Sequence, residues 1–363
     1  MNIIVDAHED ISWNTLTFGR DCMLSVAEKR AREVGAEFIA DVGHAMLGWP
    51  EWMSAGIAVI FATLFAAPIR WKEGDWETQC YRDSEEAYHL YRASLEVYKR
   101  LLEKHGDKFD LIRSQKDLHS TLARWEGDPP ADPKIGLVLL MEGADGIRDP
   151  EAVAEWYDEG VRIIGPSWEG TRYAGGPREP GPLTDDGRAL LEVMADLGMI
   201  LDLAHMPEES ALESIDRYEG TIAVTHTSPL ALVPHSEKPE RHMRDPLIRL
   251  VADRGGVIGM LLANHFLKDG WDIPDGRQAV TIEDVVIAID HVCQVVGDAR
   301  HVGLGSDFDG GFGLNKAPSG LDSIADLRLI GDALRARGYG QDDVDAILAQ
   351  NWLNTLYTAL PES

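Results

Sequence analysis

The chain has 363 residues, 44 % hydrophobic and 26 % charged, the balance of a globular protein with a large core. Thirty-four Lys and Arg stand against 62 Asp and Glu, a formal charge of −28, which argues against the basic face that nucleic acid or an anionic membrane surface requires. Cys22, Cys80 and Cys293 are widely spaced and in no CxxC pattern, so a disulfide framework is not expected and a reducing compartment is.

The chain opens MNIIVDAHED, without a basic stretch leading into an apolar one, and carries no uninterrupted apolar run of about 18 residues. Neither a signal peptide nor a membrane span is expected, and the expected location is cytoplasmic. Short Val-, Ile- and Leu-rich runs then recur: Ile3–Val5, Ile57–Leu64, Ile135–Leu140, Arg162–Ile164, Ile200–Leu203, Ile222–Val224, Val257–Leu262 and Val302–Leu304. Several lack an alternating polar face, as strands buried on both sides of a parallel sheet do. The polar stretch Trp71–Glu126 reads as a mostly helical insertion after the second strand. Further helix signals follow. Thr184-Asp185-Asp186 precedes Gly187–Leu197, with Gly198 as a C-cap. Pro207-Glu208-Glu209 and Asp245-Pro246 open two more helices, and Ile282–Val296 and Leu321–Arg337 are amphipathic. Eight strands with helical crossovers predict an α/β protein of the (β/α)8 TIM-barrel class, over 1–363 as one domain with 71–126 inserted. A doubly wound open sheet is the alternative.

The chemistry lies where the strands end. His8 and Asp10 follow the first strand, with the spacing that puts both side chains on one side of an extended chain. Glu142 follows the third strand, His205 the fifth and His226 the sixth, and Asp307 the eighth. Taken singly, each of these is more simply a cap, a turn former or a packing group. Six such groups at one end of five strands converge on the face where barrel active sites are built. Imidazole and carboxylate without thiolate suit zinc, with Mn, Fe or Co as substitutes. Three His and two or three carboxylates exceed the needs of one four-coordinate ion. They suit two ions, about 3.5–4 Å apart, that share a carboxylate and a nucleophilic hydroxide. Hydrolysis of an amide or related bond is the reaction this implies.

In order along the chain, HxD after strand one, EG after strand three, DLxH, THxSP and GxDFDG resemble the renal or membrane dipeptidases, peptidase family M19, over nearly the whole length from His8 to Asn351-Trp352. The resemblance implies an amidohydrolase-like barrel with two zinc ions per chain. It implies that His8 and Asp10 bind one ion, that His205 and His226 bind the other, and that Glu142 bridges them. Asp307 would be the proton-transferring base and Arg241, in PERHMRDP, would grip the substrate carboxylate, which suits its planar fork. The pattern departs at two places. Trp168, in VRIIGPSWEGTRY, stands where the family has a substrate-binding His after the fourth strand, and GMLLANHF lacks an expected Asn-Phe-Tyr after the seventh. Indole donates one hydrogen bond but cannot become cationic, so Arg172 or Tyr173 is considered as a replacement donor. His44, His235, His242 and His265 are treated as structural or rim residues.

The expected partner is a dipeptide or other small-molecule substrate, with a second copy of the chain as an option. The expected activity is dipeptide hydrolysis. The same metal centre acting on an acyl amino acid, cyclic amide or lactone is the alternative, followed by a catalytically silent metal-binding homologue. Asp307, needed for proton transfer rather than for holding both ions, argues against the silent form.

Overall fold

The computed structural model describes residues 3–127 and 129–363. Eight parallel strands close on themselves: β1 (Ile4–Glu9), β2 (Ile57–Phe65), β3 (Ile135–Glu142), β4 (Val161–Gly165), β5 (Ile200–Asp202), β6 (Ile222–Thr227), β7 (Ile258–Met260) and β8 (Val302–Leu304). Each pairs with the next, and the ring shuts where Asp6 on β1 faces Leu304 on β8. The long runs in β2 and β3 are buried at every position, because core fills the inside of the ring and helices cover the outside.

All eight expected strands are present, with shifted ends. β1, β3 and β6 run further than their apolar stretches, so that His8, Glu142 and His226 lie on strands rather than after them. Polar residues that face a buried site obscure the hydrophobic signal there. The helix signals hold for Asp185–Asp196, where the Thr184 hydroxyl accepts from Gly187 N at 3.0 Å, and for Ile282–Val296. Leu321–Arg337 divides into a short 3-10 turn, Ile324–Leu327, and the helix Arg328–Arg337.

The 71–126 segment forms the crossover from β2 to β3. Its main helix, α1 (Ser84–Lys104), is capped by Asp83 and buries Ala87, Tyr91, Ser94, Leu95, Tyr98 and Leu101, a helical stripe that faces the barrel. Two of these residues reach the strand ends: Tyr91 Oη donates to Glu142 O at 2.6 Å and Tyr98 Oη to Thr63 O at 2.8 Å. The segment therefore props the catalytic end of β2 and β3.

The last helix, α2 (Asn351–Ala359), helps fill the barrel. Trp352 is fully buried, its indole N–H donates to Leu304 O at 3.0 Å, and its ring meets Phe61 of β2 edge-on at 5.3 Å. Gly259 on β7 and Gly303 on β8 make room for it, since a Cβ on Gly303 would lie 2.3 Å from the indole nitrogen. Trp352→Ala is expected to cost about 3–5 kcal/mol of stability in chemical denaturation, through lost burial plus the cavity left behind. Gly303→Ala should also destabilise, by overpacking rather than by a void.

Candidate metal centre

The C-terminal strand ends bring Asp10, Glu142, His205, His226 and Asp307 to a cleft of about 670 Å³, with His8 buried beside them. Glu142 stands at the centre. Its Oε1 lies 3.0 Å from His205 Nε2 and 3.4 Å from His226 Nε2, while Oε2 lies 3.5 Å from His8 Nε2. His8 Nε2 is also 3.7 Å from Asp10 Oδ2 and 3.9 Å from Asp307 Oδ1. Three overlapping ligand groups result: His8, Asp10 and Glu142; Glu142, His205 and His226; and His8, His226 and Asp307.

The local backbone is specialised. His205, Asp307 and Asp309 take left-handed conformations, with φ of 62°, 58° and 66°. Such values are uncommon outside glycine and cost free energy that the surroundings must offset. DFDGG forms a turn at Asp307 and Asp309, and that turn places Asp307 beside His8 and His226. Asp309 faces away, its carboxylate accepting from Met46 N at 2.8 Å and Leu47 N at 3.2 Å. Gly310 is needed for space: a Cβ there would sit 2.0 Å from Asp307 Oδ1 and 2.8 Å from Asp10 Oδ2.

Electrostatics favour bound cations. Burial lowers the pKa of His205 to about 4, with Arg241 adding to the effect, and lowers that of His226 well below the usual imidazole value, helped by the charges of His8 and Arg241. Both rings are thus neutral near pH 7, the form that ligates metal. On Glu142, burial is outweighed by the His8 charge and by the closeness of the His205, His226 and His8 rings, so its carboxylate is held well below its ordinary range. Burial pushes Asp307 well above its ordinary value, with Asp10 and Glu142 adding repulsion. Among the described residues, both ring nitrogens of His8 and Nδ1 of His205 are buried without a hydrogen-bond partner. Unpaired imidazole nitrogens converging on buried carboxylates fit divalent cations better than any arrangement of the side chains alone.

A supporting layer orients the ligands. His226 Nδ1 is 3.0 Å from Thr225 Oγ1, which donates to Asp202 Oδ2 at 2.6 Å. With its proton committed to Asp202, the Thr225 oxygen accepts from Nδ1–H, and the Nε2 lone pair is left facing Glu142. Asp202 is fixed in turn by Ala204 N and Thr225 N. The Thr63 hydroxyl meets Asp10 Oδ1. Sequence reasoning did not single out Thr63, Asp202, Thr225, Tyr91 or Gly310. The one readable signal was the Asp in LDLAH, three residues before His205.

Arg241 lies buried in the cleft, with Nη1 donating to His226 O at 3.0 Å and its guanidinium 5.2 Å from the Phe266 ring centre. Trp168 lines the same cleft, 5.0 Å from Phe65 and 6.2 Å from His205 between ring centres. The suggested replacement donors lie elsewhere. Arg172 pairs with Asp186 and the Arg148 carbonyl, and Tyr173 is fully buried, donating to Ile147 O at 2.6 Å. His235, His242 and His265 line the cleft away from the ligand cluster, whereas His44 sits 3.8 Å from Glu33.

The model of the membrane dipeptidases, peptidase family M19, matches residues 2–359. This chain belongs to that family. A Klebsiella pneumoniae protein, "Uncharacterized protein in pqqA 5'region", is 34 % identical over 240 residues, covering 62 % of this chain and 82 % of its own length. The dipeptidase aclJ of Aspergillus oryzae is 30 % identical over 231 residues, 61 % of this chain and 51 % of its own, so the match spans about half of that relative. Among solved structures, a Rhodobacter sphaeroides metallopeptidase liganded with a phosphinate mimic of L-Ala-D-Ala shares the fold, with a TM-score of 0.79, 21 % identity and coverage of 98 % of this chain and 99 % of that one. M19 dipeptidases are metal-dependent, and the ligand groups described above lie within the matched residues of this chain. No helix among the described residues is long and apolar enough to cross a membrane.

Gly310→Ala is expected to force Asp307 and Asp10 apart and to weaken divalent-cation binding by about tenfold or more, measured by calorimetry. Unchanged affinity would show that the two carboxylates need not approach so closely.

Proposed function

We propose that this M19 peptidase is a binuclear zinc hydrolase that cleaves the amide bond of small dipeptides. The observation that carries the reading is the division of Glu142, with one oxygen toward His205 and His226 and the other toward His8. A carboxylate so placed suits two ions, one held with His8 and Asp10, the other with His205 and His226. When bound, the zinc pair supplies an activated water and polarisation of the scissile carbonyl.

The remaining work falls to side chains. Asp307 reaches the same cluster from the β8 loop, its Oδ1 3.9 Å from His8 Nε2, a position that suits a group accepting the proton of the attacking water and delivering it to the departing amine. The Arg241 guanidinium makes one hydrogen bond among the described residues, to the His226 carbonyl, which leaves other guanidinium donors for a substrate carboxylate. Trp168 forms a wall beside His205 and holds the substrate by contact rather than by charge. That wall favours a second reading, in which the same centre cleaves an acyl amino acid, a cyclic amide or a lactone whose oxyanion requires no cationic side chain.

A screen of dipeptides, acyl amino acids and lactones with zinc-loaded protein separates the two readings. Asp307→Asn is expected to lower kcat by about 100-fold or more on whichever class is turned over, with zinc content retained. Equal rates in wild type and variant would remove Asp307 as the proton carrier. Elemental analysis should return two zinc ions per chain, and fewer than one after reconstitution would overturn the binuclear centre. Zinc should also raise the melting temperature, because an ion that binds only the folded state stabilises it.

A further inference from the structure

Beside the metal centre, one wall of the cleft is aromatic. Trp13 meets Phe65 and Trp76 edge-on, with centroids 6.3 and 6.0 Å away, and Phe65 leads to Trp168 at 5.0 Å. The next residue, Glu169, lines the cleft although it is only 4 % exposed. Its Oε1 accepts from Lys238 Nζ at 2.8 Å and lies 3.4 Å from Arg178 Nε. Its Oε2 is buried and has no hydrogen-bond partner among the described residues.

An ionised carboxylate only accepts hydrogen bonds, and a buried oxygen left without a donor is costly. Packing has fixed one oxygen with two cations and left the other buried and without a donor beside a substrate-sized cleft that Glu169 lines. The charge balance says what kind of donor belongs there. Arg178 also pairs with Glu73, at 3.1 Å, so Glu73, Glu169, Arg178 and Lys238 sum to zero. Beyond these four, the lining outside the ligand cluster adds Glu77, Glu237 and Asp272 against Arg241 and Lys316, a surplus of one negative charge. A cationic donor is therefore favoured over a neutral one, and an aromatic wall suits both an alkyl stem and a cation.

We propose that Trp168 and Glu169 form a specificity subsite for a basic side chain of the substrate, with the stem against the indole and the ammonium or guanidinium on Glu169 Oε2. The dipeptide as the source of that side chain rests on the proposed function above; the subsite itself rests on the Glu169 geometry.

The test compares lysine with norleucine, which has a similar stem and lacks the ammonium. Zinc-loaded protein would be assayed with lysyl-alanine against norleucyl-alanine, and with alanyl-lysine against alanyl-norleucine. One of the two pairs should favour lysine by about tenfold or more in kcat/KM, as a charge-assisted hydrogen bond to a buried carboxylate allows. Glu169→Gln should collapse that ratio toward one. A general loss of structure would instead lower both members of the pair together and leave the ratio standing. Wild-type ratios near one in both pairs, or a ratio that survives Glu169→Gln, would overturn the subsite. Binding of the same four dipeptides, read by calorimetry, distinguishes the two levels of inference. A lysine preference in binding without turnover would sink dipeptide hydrolysis and keep the subsite, whereas turnover without preference would do the reverse.

Discussion

A single carboxylate, Glu142, sits between imidazoles that cannot satisfy it or one another. His205 and His226 approach each other to 3.0 Å at Nε2, and both face the oxygen that Glu142 turns toward them. Neutral rings at that separation share at most one proton between two lone pairs, and His8 on the other side has both nitrogens unpaired. Around them stand Asp10 and Asp307, and His8 first and Arg241 second offset the repulsion on Asp307. The rest of the molecule is arranged to hold this cluster in place. α1 pins the carbonyl of Glu142, Thr225 and Asp202 fix the His226 ring, and Gly310 makes room for two carboxylates at close range.

The barrel was legible in the sequence because buried parallel strands are apolar throughout. Ile57–Phe65 and Ile135–Glu142 carry that signal over eight or nine residues. The strand ends were harder to read, because His8 and His226 lie within their strands while interrupting the apolar pattern. Residue type and position together exposed the six proposed ligand and proton-transfer groups. The residues that orient them were hidden, because Thr63, Thr225 and Tyr91 are ordinary strand and helix residues whose importance lies in a contact across the fold. Those contacts join positions 51 and 53 residues apart in the case of Tyr91 with Glu142 and Thr63 with Asp10. Glu169 stayed hidden for a similar reason, since only packing shows that one of its oxygens is unpaired.

The crossover 71–126 shows how composition misleads about role. Its polarity suggests an external insertion, and much of its surface is indeed solvated. The stripe that ends in Tyr91 and Tyr98 nevertheless lies directly behind the catalytic ends of β2 and β3. The substrate side is divided in a comparable way. One wall comes from the loops after β2 and β4, through Trp76, Trp168 and Glu169, and the other from the loop after β6, through Arg241 and Lys238. Lys238 joins the two walls through Glu169.

The closure of β8 on β1 joins residues about 300 positions apart, with Ser306 N donating to Asp6 Oδ1 at 2.7 Å and Trp352 entering the barrel later still along the chain. Contacts of such sequence separation are made against a large loop-closure entropy and form slowly. During synthesis His8, Asp10 and Glu142 are made long before Asp307 and the last helix. Ring closure is therefore the step that brings Asp307 to the groups carried by the earlier strands.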